Sequence, residues 1–178
     1  MKTTLLILLT ACTTFAQVKT NNNTNPACGP SDVKFSVRTD KNPMPPGQAP
    51  AGKALVYFLQ DDIGWPHRML VAKPTYRLGV DGQWVGATHD SSYFYFTVDP
   101  GEHSLCANQQ FRRGLTLGHQ FMAEAGRTYY FRLKDSPWQV REGNGWRFGI
   151  NSNLHPVDAD TGQALLPQLS FSTFEQKK

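Results

Sequence analysis

Three cysteines, five histidines and four tryptophans are the side chains in this sequence best suited to chemistry or ligand binding. A local metal site needs ligands at short spacing, such as two histidines at i and i+2 or i and i+4. No two histidines have such a spacing, and Cys28 and Cys106 are far apart in the sequence. The sequence therefore predicts neither a metal site nor a cofactor. The histidines are at positions 67, 89, 103, 119 and 155.

No catalytic pattern is visible in the chain either. A hydrolase nucleophile on a G-x-S-x-G elbow is absent, as are a phosphate loop and a dinucleotide fingerprint. Asp61-Asp62 is the one carboxylate pair, but neighbours on a strand point in opposite directions, so we interpret it as the solvated start of a loop. We predict no catalytic residue. The alternative is a hydrolase-type enzyme whose site is assembled only by folding.

The tryptophans are the best candidates for a binding surface. An exposed indole stacks well on a sugar ring or a partner side chain. The alternative is that these rings cap the two ends of the domain as part of its core. The candidates are Trp65, Trp84, Trp138 and Trp146.

Residues 1–16 have the features of an export signal. Lys2 supplies the positive charge, Leu5 to Leu9 begin a short apolar stretch, and Thr14-Phe15-Ala16 ends with small residues around a cleavage site before Gln17. The stretch is too short to span a bilayer, which needs about 20 apolar residues. We expect no transmembrane segment, and a periplasmic or extracellular location.

A lipoprotein is the alternative for the same segment. Leu9-Thr10-Ala11-Cys12 fits a lipobox, in which Cys12 is lipidated and becomes the N-terminus. Cleavage after Ala16 instead removes Cys12 and leaves Cys28 and Cys106 in an oxidising compartment. We then predict a disulfide between these two cysteines, with two free buried thiols as the alternative.

The elements that must position these side chains are strands. Asn-rich residues 17–31 are typical of a flexible arm, and Asp81-Gly82 predicts a type I′ hairpin. Ala164-Leu165-Leu166 is the one candidate for a short helical turn, before Pro167. Runs typical of strands cover residues 33–38, 53–60, 75–80, 83–88, 92–98, 102–109, 119–125, 127–134 and 145–151.

This pattern predicts one all-β domain over residues 32–178. About eight or nine strands at hairpin spacing favour two packed antiparallel sheets, a β-sandwich, or a partly closed barrel. A loop containing Pro137 and Gly143 is expected between the last two strands. The net charge is only +4 and the basic residues are scattered, with Arg112-Arg113 the one adjacent pair before the C-terminus. A nucleic-acid partner is therefore not expected.

The run RLGVDGQWVGATHDSSYFYFTVDPGEHSLCANQQF, followed by EAGRTYYFRL, resembles a bacterial family catalogued as domain of unknown function 2846. The resemblance covers roughly residues 50–135, and the ACGP element and the C-terminal tail are similar to those of close relatives. The VDG and PGEH elements are also similar to PEGA-type surface modules. The resemblance implies an exported or lipid-anchored β-sandwich, and it does not indicate an activity. The elements are Ala54-Leu55-Val56-Tyr57, Val80-Asp81-Gly82, Tyr93-Phe94, Pro100-Gly101-Glu102-His103 and Gly126-Arg127-Thr128-Tyr129-Tyr130.

Together these observations indicate an exported, non-catalytic protein of the cell envelope. We expect it to be a binding module whose partner is an envelope protein or a glycan. An envelope enzyme of the hydrolase type remains the alternative.

Overall fold

The computed structural model of the chain describes residues 28–42, 47–61, 74–111 and 115–177. These residues form ten strands, one short α-helix and one turn of 3-10 helix after it. The elements are β1 (Lys34–Asp40), β2 (Ala54–Asp61), β3 (Thr75–Val80), β4 (Gln83–His89), β5 (Ser92–Val98), β6 (Gly101–Gln109), β7 (Thr116–Ala123), β8 (Thr128–Glu142), β9 (Gly145–Val157), α1 (Ala159–Leu165), the 3-10 turn (Leu166–Gln168) and β10 (Ser170–Lys177).

The strands form two sheets. The larger sheet has the order β1-β10-β5-β2-β8-β9, and the smaller has the order β4-β3-β6-β7. Side chains from both sheets, among them Phe58, Leu78, Phe94 and Leu105, form one buried cluster. The predicted all-β architecture of two packed sheets with a short C-terminal helix is confirmed.

Strand β2 lies inside the larger sheet because its apolar run can be covered on both faces. All eight of its residues are buried. Val56 and Phe58 belong to the cluster shared with the smaller sheet, while Leu55, Tyr57 and Leu59 belong to a second cluster together with Leu165 and Leu166 of the helical segment. Successive side chains of a strand point to opposite faces, so one continuous apolar run contributes to two cores.

The tight hairpin between β3 and β4 has the predicted geometry. Asp81 has φ 50° and Gly82 has φ 85°, so both central residues are in the left-handed region that a type I′ turn requires. This conformation joins the strands with the right-handed twist that packed sheets need.

The larger sheet is mixed rather than purely antiparallel. Strand β2 pairs parallel with β8, and β10 pairs parallel with β5 over a short stretch. The sequence interpretation also missed β10, which lies between β1 and β5. Its inward side chains include Ser172, which is buried and hydrogen-bonded to Ser92, so β10 lacks the apolar alternation by which a strand is recognised.

The prediction of a loop around Pro137 is wrong. Strand β8 continues through Pro137 to Glu142, and β9 continues through Pro156 to Val157. Among the described residues, pairing with β2 reaches as far as Asp61 opposite Lys134, and beyond that point β8 pairs only with β9. A proline, which lacks an N–H, is tolerated on a strand with one unpaired side and on an edge strand such as β9.

Candidate functional site

The distal part of the β8–β9 hairpin extends beyond the rest of the larger sheet. From residue 136 to residue 147 every residue is exposed, and the two strands pair with each other up to Glu142 opposite Gly145. We call residues 136–151 the distal hairpin. It carries two of the predicted binding aromatics, Trp138 and Trp146, and the sequence interpretation had placed them in a loop and at a strand end.

The two indoles lie on opposite faces of this ribbon. Residues that oppose each other in an antiparallel ladder share a face, and neighbours along a strand alternate between faces. Trp138 opposes Gly149, while Trp146 opposes Arg141, three positions further along β8. The side chain of Trp138 is therefore on the face of Val140, and that of Trp146 is on the other.

The indole of Trp138 lies over the backbone of Gly149. A Cβ atom added to Gly149 would be 2.3 Å from Cζ2, 2.4 Å from Cε2 and 2.7 Å from Nε1 of the indole. Three ring atoms that are so close to one point above a Cα require the ring to lie across that position. The residue is nevertheless 37% exposed, so one face of the ring packs on the backbone and the other meets solvent.

Between Trp138 and the tip of the hairpin, the same face carries both apolar and charged side chains. Val140 is 44% exposed and opposes Arg147. The Arg147 guanidinium donates a hydrogen bond of 2.9 Å from Nη1 to Oε1 of Glu142, which lies on the same face. Sequence reasoning did not find Gly149, Arg147 or Glu142, because only the strand register brings them to Trp138.

Trp84 contacts the chain's own N-terminal segment. Its indole Nε1 donates to the carbonyl oxygen of Pro30 at 2.7 Å, and its ring occupies the space beside Gly29. The Cζ of Arg77 lies 4.5 Å from the centroid of the same ring, at cation–π distance. Trp84 is thus partly covered by residues 29–30.

Arg77 also holds this segment. Its guanidinium donates to the carbonyl oxygens of Ser31 and Val33, and its Nη2 donates to Oδ1 of Asn108 at 2.5 Å. Burial lowers the pKa of Arg77, although a guanidinium stays charged in proteins. The segment from Cys28 to Val33 is therefore fixed to β3, β4 and β6.

The Cys28–Cys106 disulfide is confirmed. The two Cα atoms are 5.1 Å apart, inside the range that a disulfide requires, and the link joins the start of the described chain to β6. The arm predicted for residues 17–31 is thus held over its last four residues, 28–31. The rest of that arm, the signal segment 1–16, Cys12 and Trp65 lie outside the described residues.

His103 forms an ion pair with the hairpin residue Asp81. Nδ1 of His103 is 2.6 Å from Oδ2 of Asp81, and Nε2 is 2.8 Å from the carbonyl oxygen of Asp99. Both ring nitrogens therefore have acceptors and none is left to activate a nucleophile. The pair connects the VDG turn to the PGEH turn.

Asp61 is not the solvated loop residue that the sequence suggested. It is 3% exposed and accepts a hydrogen bond of 2.8 Å from Nε of Arg132, with Nη2 of the same guanidinium also donating. Asp62 lies outside the described residues.

Burial, followed by the charges of Arg132, His119 and Lys134, lowers the pKa of His155.

One further polar cluster crosses between the sheets. The Tyr76 hydroxyl donates to the Asp135 carboxylate at 2.9 Å and lies 3.0 Å from Oγ of Ser152. Tyr76 is on β3, whereas Asp135 and Ser152 oppose each other on β8 and β9. These contacts satisfy a carboxylate buried in the core.

The hydroxyl of Tyr57 stays protonated. Tyr57 stacks on Tyr130 with ring centroids 5.0 Å apart. Burial, with the neighbouring Tyr130, Tyr93 and Tyr95 adding to it, raises the pKa of Tyr57 to about 12. Tyr57 therefore cannot serve as a base at physiological pH.

Within the described parts of the chain, no group of three or more His, Cys, Asp or Glu side chains could hold a metal ion. The same residues include no helix that is long and apolar enough to cross a membrane.

Comparison with known proteins gives one family. The model of the family described as "Protein of unknown function (DUF2846)" matches residues 50–145, more than half of the chain. The match begins ahead of β2 and ends at the tip of the β8–β9 hairpin. No curated protein matches the chain.

Proposed function

Because the chain belongs to the DUF2846 family, whose function is unknown, we propose a role for it from its own surface. The protein is an exported, non-catalytic component of the cell envelope that binds a partner, protein or glycan, through the distal hairpin. The observation that carries this proposal is the exposure of Trp138 and Trp146 on two faces of one projecting ribbon.

The concentration of apolar side chains supports a binding role for this ribbon. Of the five large exposed apolar side chains among the described residues, three lie on the distal hairpin: Trp138, Val140 and Trp146 at 37%, 44% and 59% exposure. The other two lie apart from it: Phe111 is in the turn after β6, and Met122 is on β7. Exposed apolar groups scattered singly are ordinary, whereas a cluster of them marks an interaction surface.

The N-terminal sequence supports the export part of the proposal. A charged residue, an apolar stretch and a small-residue site before Gln17 are what a signal peptide requires, and the Cys28–Cys106 disulfide suits an oxidising compartment. Lipidation of Cys12 is the alternative form of export, and it would tether the domain to a membrane.

Capture experiments test the binding role. Tagged wild type and the double variant Trp138→Ala/Trp146→Ala are produced in the native envelope, cross-linked and purified. The double variant Phe111→Ala/Met122→Ala is the control, since it removes the same kind of exposed apolar surface elsewhere. We expect partner recovery with wild type and control, and a loss of about tenfold or more with the tryptophan variant, because hot-spot aromatics dominate binding. Equal recovery with all three proteins contradicts the proposal.

A further inference from the structure

The Trp138 ring is a platform held rigid before any ligand arrives. Its inner face packs on Gly149, where even a methyl group would collide with the ring at 2.3 Å. A side chain that is already ordered loses little conformational entropy on binding. Its outer face is open to solvent, as its 37% exposure requires.

A ring in this position can stack but cannot insert. Aromatic anchors of protein interfaces project into a pocket on the partner and are buried on both sides. The indole of Trp138 has one face against Gly149, so it offers a partner only a flat surface. The complementary ligand must therefore have a flat apolar face, and weakly positive C–H groups on that face suit the negative π surface of an indole.

Hydrogen-bonding side chains flank the platform along both directions of the ribbon. Ser136 and Asn151 oppose each other on the Trp138 face, one ladder step towards the domain. Arg147 and Glu142 lie on the same face towards the tip. Two residues along a strand span about 6.6 Å, so Ser136, Asn151 and Arg147 lie near the rim of the indole, while Glu142 lies about twice as far along β8. They include donors and acceptors, which a ligand with hydroxyl groups around its ring needs.

The charge of this face favours a neutral ligand. The guanidinium of Arg147 is paired with the carboxylate of Glu142 at 2.9 Å, so the two charges cancel. A phosphate chain or an acidic peptide would compete with Glu142 for the arginine beside the indole. The other cations on this face are farther away: Lys134 is four residues from Trp138 along β8, about 13 Å, and Arg132 is paired with Asp61. A flat, neutral, hydroxyl-rich ring matches what the face presents.

We propose that the Trp138 face, formed by Trp138 on Gly149 with its polar flanks, is a carbohydrate site that stacks a ring of a β-linked hexopyranose chain. Equatorial linkages leave the C–H faces of such rings flat and accessible. The inference rests on the proposed function and identifies the partner as glycan rather than protein.

Titration of the mature protein with cellohexaose and with chitohexaose, together with cosedimentation on purified bacterial cell-wall sacculi, tests the site. We expect wild type to bind at least one of the three probes, and Trp138→Ala to weaken that binding by about tenfold or more, the size of effect seen when an aromatic stacking partner is removed. Gly149→Ala should weaken it similarly although it keeps every tryptophan, because its Cβ displaces the indole.

Gly145→Ala is the matched control. The same substitution on the same hairpin would meet only the Glu142 carbonyl oxygen, at an ordinary 3.8 Å, and should leave binding unchanged. Thermal melts check that all variants fold. No binding to any probe, or binding that survives Trp138→Ala and Gly149→Ala, overturns the proposal. If capture from the envelope still depends on the tryptophans in that case, the binding role stands and only the carbohydrate site falls.

Discussion

His103 is the residue whose protonation state the structure determines most directly. Both ring nitrogens face acceptors, the carboxylate of Asp81 and the carbonyl of Asp99, so only the imidazolium can donate to both. Burial acts to lower the pKa of His103, but its hydrogen bonds to Asp81 and Asp99 and the charges of both residues outweigh burial and raise it above the ordinary 6.5. For Asp81, burial acts to raise the pKa, and the Ser104 N–H and His103 outweigh it and lower it below 3.8.

The pH dependence of stability follows from these directions. Folding raises the pKa of His103, so the stabilisation that its contacts with Asp81 and Asp99 provide is complete below pH 6.5. This stabilisation is lost as the pH rises through the pKa that His103 has in the folded protein. Between about pH 6 and about pH 8, urea unfolding should show wild type losing about 1 kcal/mol or less of its free energy of unfolding relative to His103→Gln, a small effect because Asp81 is half exposed. His103→Gln should remove this component. The lowered pKa of His155 acts in the opposite direction in both proteins and cancels in this comparison. An identical pH profile for the variant and the wild type would refute the role of the ion pair.

Gly82 is the second residue for which the structure gives a test, because its backbone conformation sets the tight turn between β3 and β4. Its φ of 85° is open to glycine and costly for a β-branched side chain. Gly82→Val should lower the free energy of unfolding by more than about 1 kcal/mol, measured in urea. Gly82→Asn is the control and should cost less, since asparagine tolerates the left-handed region. Equal losses for both variants would show that φ is not the cause.

At the scale of elements, the disulfide and its neighbours anchor the segment that leads into β1. Arg77 and Trp84 hold the carbonyls of residues 30, 31 and 33 in addition to the Cys28–Cys106 link. Reduction should therefore destabilise the protein without releasing the segment, because the disulfide acts mainly by restricting the unfolded chain.

Cys28→Ser tests this directly. With the two cysteines 78 positions apart in the sequence, the free energy of unfolding should fall by about 2–5 kcal/mol under oxidising conditions. Reductant should bring wild type to a similar midpoint, and the fluorescence of Trp84 in the folded state should stay unchanged. Two free thiols in the denatured, unreduced protein would contradict the disulfide itself.

At the scale of the whole molecule, the proposed export would decide where the mature chain begins. Mass spectrometry of the natively produced protein distinguishes the outcomes. An N-terminus at Gln17 is the result we expect, because the small residues before it form the cleavage site. A lipidated Cys12 would support the membrane-anchored alternative, and an intact Met1 would refute both forms of export.

Local patterns were enough to predict nine of the ten strands, the Asp81-Gly82 turn and the cysteine pair. Each depends on neighbours in sequence: alternation along a strand, turn residues at fixed offsets, and an even cysteine count after cleavage. The tenth strand was missed because Ser172 occupies a buried, inward position that alternation rules assign to an apolar residue. The family was also recognisable from the order of the turn motifs, and the match to residues 50–145 confirms it.

Pairing between distant segments was decided by the tertiary structure alone. In the described residues the parallel contact of β2 with β8 reaches Lys134, and residues 136–147 beyond it are exposed; no local signal near Pro137 reports how far a distant strand pairs. Asp61 looked like a solvated residue because Arg132, its partner, is 71 positions away. The contact of Trp138 with Gly149 could not be predicted either. The register of the β8–β9 ladder places the indole over the glycine, and register depends on how two strands pair rather than on the sequence of one of them.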